Sequence, residues 1–126
     1  AMITATSHYD FHETLQRLLD ALEHHQLTVF AQIDHAGAAR AADLVLADEQ
    51  VVVFGSPKAG TVLMQTDPRV GIDLPLKILV WQGGDGVLVG YNDPLELADH
   101  YDISEHRSTL EAMSQLLAQL AEQTTT

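Results

Sequence analysis

The sequence predicts an α+β domain, a single mixed or antiparallel sheet of about four or five strands packed against helices. Three observations carry this expectation. Apolar residues recur at helical spacing near both ends of the chain, β-prone runs fill the middle, and two of those runs flank a glycine-rich hairpin loop. The resulting order is strand, helix, strand, helix, strands, hairpin and helices, which lacks the regular alternation of a doubly wound parallel fold. With 126 residues the chain fits one domain, 1–126, and shows no internal repeat.

Residue Ala1 looks like a tag remnant ahead of a native Met2, and Ile3 to Thr6 form a short first strand. Asp10, followed three residues later by Glu13, makes a capping-box-like start. Phe11, Leu15, Leu18, Leu19 and Leu22 then line one face of a helix over roughly 11–25. A strand over 27–33 alternates, with Leu27, Val29, Ala31 and Ile33 on one side and Phe30 on the other. Asp34 caps a short alanine-rich helix. Leu44, Val45 and Leu46 are expected as a separate short strand ahead of the buried run Val51 to Phe54.

The stretch Gly55-Ser56-Pro57-Lys58-Ala59-Gly60 is expected to be an irregular loop, with one or two helical turns over 61–65 closed by Asp67-Pro68. Runs 76–81 and 87–91 flank Gly83-Gly84-Asp85-Gly86 as a hairpin. Asp93-Pro94-Leu95-Glu96 supplies an N-cap and a proline at the first helical position, so a helix runs to about His100. Leu110, Met113, Leu116, Leu117 and Leu120 mark the last helix, with 123–126 as a frayed tail.

Composition excludes several functions. Eighteen acidic residues against six basic ones give a formal charge of −12, and protonating all seven histidines still leaves −5. Such a chain has no general affinity for nucleic acid or anionic lipid, both of which require clustered Lys and Arg. The absence of cysteine excludes disulfides, thiolate nucleophiles and cysteine-ligated metals. No apolar run of roughly 18 residues occurs and the N-terminus lacks a secretory pattern, so a cytoplasmic location is the default and no membrane is expected. Charge is also uneven: residues 55–80 hold Lys58, Arg69 and Lys77 against Asp67 and Asp73, a local balance of +1. A small anion is therefore best accommodated there.

Three segments carry candidate chemistry. The loop from Gly55 through Ser56, Lys58 and Gly60 to Thr61 leaves a buried strand and enters a helix, so glycine, free amides and one cation offer an anion site. It is not a phosphate-binding P-loop, because no Gly-Lys-Ser/Thr triplet occurs; the plainer reading is a strand-to-helix turn with Lys58 in solvent. His35, at a strand end, suits a general base, and Asp34 beside it suits either orienting that base or capping the helix. Asp73, two residues before Pro75, suits an acid/base group paired with His35 or Lys58, or a turn cap. Tyr91 closes the hairpin and adds a hydroxyl. The remaining histidines read as surface residues, and no spacing supports a metal site or a cofactor.

These motifs, Phe11-His12-Glu13-Thr14, Leu27-Thr28-Val29-Phe30, Ile33-Asp34-His35, Phe54 to Thr61, Leu63-Met64-Gln65, Asp73-Leu74-Pro75-Leu76 and Tyr91-Asn92-Asp93-Pro94, resemble in their order the domain-of-unknown-function family 302. The resemblance implies a small bacterial or archaeal α/β domain that forms homodimers, and no established reaction. Two departures stand out. Ser56 replaces the family's usual Asn, and Gln26 replaces a glycine, which argues against a left-handed helix cap at that point. The first reading is a domain holding a small polar or anionic ligand with His35, Gly55, Ser56, Lys58, Gly60, Thr61, Asp73 and Tyr91. A homodimeric interaction module is the second reading, and an enzyme with a His35/Asp73 acid-base pair the third.

Overall fold

A computed structural model describes residues 2–126; Ala1, read above as a tag remnant, lies outside the described residues. Five strands, β1 (Met2–Thr6), β2 (Thr28–Asp34), β3 (Glu49–Gly55), β4 (Leu76–Gly83) and β5 (Gly86–Asn92), form one sheet in the order β1-β5-β4-β3-β2, every neighbouring pair antiparallel. The helices are α1 (Phe11–His24), α2 (His35–Ala41), α3 (Pro57–Thr66), α4 (Leu97–His100) and α5 (Arg107–Thr125), with 3-10 turns at Pro68–Ile72, Pro94–Glu96 and Ser104–His106.

Alternation along the strands sends Val52, Phe54, Ile78, Val80, Val87, Val89 and Tyr91 to one side of the sheet. There they meet Leu15, Leu18 and Leu22 of α1 and Leu117 and Leu120 of α5 in the main core. Leu63, Val70, Ile103, Leu110 and Met113 form a second cluster beneath α3. Among the described residues α1 and α5 both pack on that core side, and the opposite sheet face, where register aligns Ile33 with Val51, Val51 with Leu79, and Trp81 with Leu88, has no long helix against it. Ile33 there is 45% exposed.

Local capping follows the sequence closely. The Glu13 amide donates to Asp10 Oδ1 at 2.8 Å, the Gly37 amide to Asp34 Oδ1 at 2.8 Å and the Leu95 amide to Asp93 Oδ1 at 3.0 Å. Asp34 is thereby the cap of α2. The two-residue hairpin turn brings Gly83 opposite Gly86, which has φ +142.

Five local expectations are corrected. Residues 44–46 form no strand: a left-handed Asp43 (φ 62) turns the chain out of α2, leaving Val45 fully exposed. The segment 55–60 is not an irregular loop, because Pro57 at the first helical position presets α3, which continues through Gly60 to Thr66. In β2 the register shifts between Val29 and Ala31, so Phe30 is bulged and Val29 no longer shares a face with Ala31 and Ile33. The tail is helical through Thr125, and Thr124 and Thr125 are buried. The Tyr9 hydroxyl donates to the Thr126 carbonyl at 2.8 Å and the His8 amide to Thr125 at 2.9 Å.

The fifth correction is the α1 cap. Gln26 adopts φ 58, the Leu27 amide donates to the Leu22 carbonyl and the Gln26 amide to Glu23. This is a complete Schellman closure with a non-glycine residue in the left-handed position.

Candidate functional site

Two hollows stand out among the described residues. The smaller, a cleft of about 350 Å³, lies where β3 gives way to α3. Gly55, Ser56, Ala59, Gly60 and Thr61 line it from that junction, Leu27 and Phe30 from the β2 side, Met64, Leu74 and Pro75 around α3, and Met113 and Leu116 from α5. The bulge explains how an aromatic ring reaches it, since an extra residue re-aims the side chain at that point. None of its lining residues is charged. Its polar groups are few: Ser56 makes no side-chain cap bond, and the Thr61 hydroxyl donates to the Pro57 carbonyl at 2.7 Å. The first-turn amides of α3 have no intrahelical acceptor.

The larger hollow, about 560 Å³, spreads over part of the uncovered sheet face and around the end of β5. Its wall includes His35, Glu49, Asp73, Lys77, Tyr91, Asp93, Glu96 and His100. Four carboxylates against one lysine make this hollow unfavourable for an anion. Burial pushes the Tyr91 phenol upward, reinforced by the Asp93 charge, so it stays protonated and can donate.

The sequence-predicted residues therefore divide. Gly55, Ser56, Gly60 and Thr61 share the cleft, whereas His35, Asp73 and Tyr91 share the hollow. Lys58, at the exposed start of α3, lines neither. No hydrogen bond joins His35 to Asp73 among the described residues; the Asp73 carboxylate instead accepts from the Tyr101 hydroxyl at 2.5 Å. That bond raises the Tyr101 phenol, with desolvation adding to it. Lys77 Nζ meanwhile donates to the Asp73 and Pro75 carbonyls. No group of three His, Cys, Asp or Glu residues is placed to hold a metal among the described residues.

Sequence reasoning passed over a clamp that ties the turn after α3 to the segment after α4. Asp67, 5% exposed, accepts at Oδ1 from the Arg69 amide (3.1 Å) and Nε (3.0 Å). Its Oδ2 accepts from Arg69 Nη2 (2.8 Å) and the Asp102 amide (3.0 Å). Hydrogen bonds from Arg69, then from the Asp102 backbone, hold the Asp67 carboxyl far below the usual range. Arg69 Nη2 also lies 3.6 Å from Asp102 Oδ2. The pairing of Asp67 with Arg69 was legible as an Asp-Pro-Arg turn, but the Asp102 partner lies 35 residues on and left no local signal.

Comparison with known proteins places this geometry. The family model described as "Domain of unknown function DUF302" matches residues 3–121. A solved structure, "Crystal structure of uncharacterized conserved protein DUF302 from Bacillus stearothermophilus", superposes with a TM-score of 0.87 over 97% of this chain and 96% of that one, at 18% identity. This likeness is one of fold. The curated proteins named "Fluoride-specific ion channel FluC 1" from Brucella suis biovar 1 (strain 1330) and Brucella abortus biovar 1 (strain 9-941) are each 35% identical over 103 residues, 81% of this chain. The chain spans only 41% and 38% of those relatives' lengths. No described helix here is long and apolar enough to cross a membrane.

Proposed function

The chain belongs to the DUF302 family of domains of unknown function, and within it we propose a binding domain that takes a small molecule in the cleft where β3 passes into α3. The observation that carries this is the cleft itself, about 350 Å³ and walled by side chains from several distant parts of the chain, within the size range of small-molecule sites. The expectation of a polar or anionic ligand held by the Gly55 to Thr61 loop and flanked by His35 and Asp73 finds less support in its anionic form, since Lys58, His35 and Asp73 do not line the cleft. The channel name carries no guidance here, because conduction needs spanning segments and the chain covers only about two-fifths of those proteins. A fragment screen by saturation-transfer NMR tests the reading: hits should be lost on Gly60→Leu, which fills the cleft. Hits retained undiminished by that variant would reject it.

A second reading, assembly as a homodimer, is favoured by the uncovered sheet face. Val51, Val53, Leu79, Trp81 and Leu88 are half-buried there with Ile33 exposed, and the only charges along that face of the strands are Glu49 and Lys77. Two chains of −12 each repel least where charge cancels, and contiguous apolar surface of this kind marks interaction sites. Light scattering at micromolar concentration should give twice the chain mass, reverting to one chain in Leu79→Glu/Trp81→Glu. A monomeric parent would dismiss the dimer.

A further inference from the structure

The two glycines of the cleft have no conformational or steric reason to be glycine. Neither Gly55 nor Gly60 has positive φ, the conformation that favours glycine over other residues. A Cβ at Gly60 would stand 3.8 Å from Met64 Cε and 3.9 Å from Leu74 Cδ1, and one at Gly55 would stand 3.7 Å from Pro75 Cβ and 3.8 Å from Phe30 Cε2. These are ordinary van der Waals separations, so alanine fits at both places. Gly60 also sits inside α3, where glycine is the poorer helix former. What the missing methyl groups leave behind is methyl-sized room bounded by Phe30, Pro75, Met64 and Leu74 of the cleft walls.

Those walls set the chemistry. In a chain with 19% charged residues the cleft is lined by none, and Phe30, Leu74, Leu76, Met64, Met113 and Leu116 are among its long side chains. Burying an ionic group deep among them would go uncompensated, so a charged head group on an apolar ligand stays in water at the cleft mouth. We infer that the cleft takes a ligand with an apolar body, of the size of a medium-length acyl chain, and that Gly55 and Gly60 are specificity-determining because they keep room for it. This rests on the small-molecule reading above and names its ligand class.

Isothermal titration calorimetry on the intact chain with butanoate, hexanoate, octanoate and inorganic phosphate tests it. Affinity should rise roughly four-fold per methylene added, the value expected for burying each in an apolar site, with no phosphate binding. Gly60→Ala should weaken octanoate at least about three-fold while raising Tm by a few degrees, a divergence that a purely structural role does not give. Gly60→Leu, with an unchanged circular dichroism spectrum, should abolish binding. Phosphate or butanoate binding as tightly as octanoate, and lost in Gly60→Leu, would overturn the apolar class but leave the binding reading. Octanoate binding unchanged in Gly60→Leu would overturn the assignment to the cleft, and no binding by any of the four probes would overturn both.

Discussion

The hollow around His35 and the cleft around Gly60 belong to one small domain, share Pro75 and Leu76, and differ in charge: the hollow mixes apolar with ionisable side chains and the cleft holds no ionisable one. The hollow gathers Glu49, Asp73, Asp93, Glu96 and Lys77 with two histidines, on residues largely open to water. The cleft has no charged side chain and draws its walls from β2, the junction of β3 with α3, the chain entering β4, and α5. Charged residues at strand ends attract attention as chemistry, yet here they are spread over a broad surface and Asp73 is already engaged by Tyr101. Definition of a site comes instead from apolar side chains that converge only after folding. The comparison teaches that titratable residues mark where reactions are conceivable, while shape and charge exclusion mark where a ligand fits.

The largest effect that sharpens this contrast comes from the support beneath the cleft. Leu63, on the inner face of α3, is fully buried, so Leu63→Ala should cost about 2–5 kcal/mol in urea unfolding and weaken cleft binding with it. Loss confined to the His35 hollow would break the contrast.

The clamp comes next. Asp67→Asn removes an ionised acceptor from Arg69 and the Asp102 amide, and should lower Tm by on the order of 5 °C at pH 7. The sign with pH follows from the lowered folded-state value. A carboxyl depressed on folding contributes its stability above its unfolded value, near 3.9, and loses it as pH falls below that toward the folded value. The difference in Tm between parent and Asp67→Asn should thus be constant from about pH 8 to 5 and shrink below about pH 4. A gap that widened in acid would show that the clamp does not depend on the ionised carboxylate.

Directly before the cleft residue Leu27, Gln26 holds a left-handed conformation. Gln26→Gly should stabilise the domain by about 0.5–1 kcal/mol by relieving the Cβ conflict; destabilisation would mean the glutamine side chain makes up for its strained backbone. The smallest effects are expected for His35→Ala and Lys58→Ala, both exposed and outside the cleft. Each should change stability by less than about 0.5 kcal/mol and leave ligand binding intact. A large binding loss in either would restore the anion site.

Much of this architecture was legible because its signals are local. Asp10, Asp34 and Asp93 cap helices through amides two or three residues ahead, and the 83–86 turn follows from its glycines. The bulge at Phe30 was not, because alternation alone cannot reveal an extra residue that only the register with β3 exposes. Nor was the left-handed Gln26, where backbone closure onto Leu22 and Glu23 overrides the residue's own preference. The cleft was half legible. Gly55, Ser56, Gly60 and Thr61 stood out together, while Phe30, Met113 and Leu116 read as core or sheet residues until long-range packing brought them beside the glycines.

On the proposed reading this domain binds at the uncharged cleft, not at the charged hollow. A ¹H–¹⁵N correlation spectrum of the uniformly labelled chain, titrated with octanoate, tests it most directly. The account predicts saturable shifts at Phe30, Gly55, Ser56, Gly60, Met64 and Leu74, with Glu49, Asp93 and His100 unmoved. Shifts gathered around His35, Glu49 and Asp93, with Gly55 and Gly60 still, would contradict it.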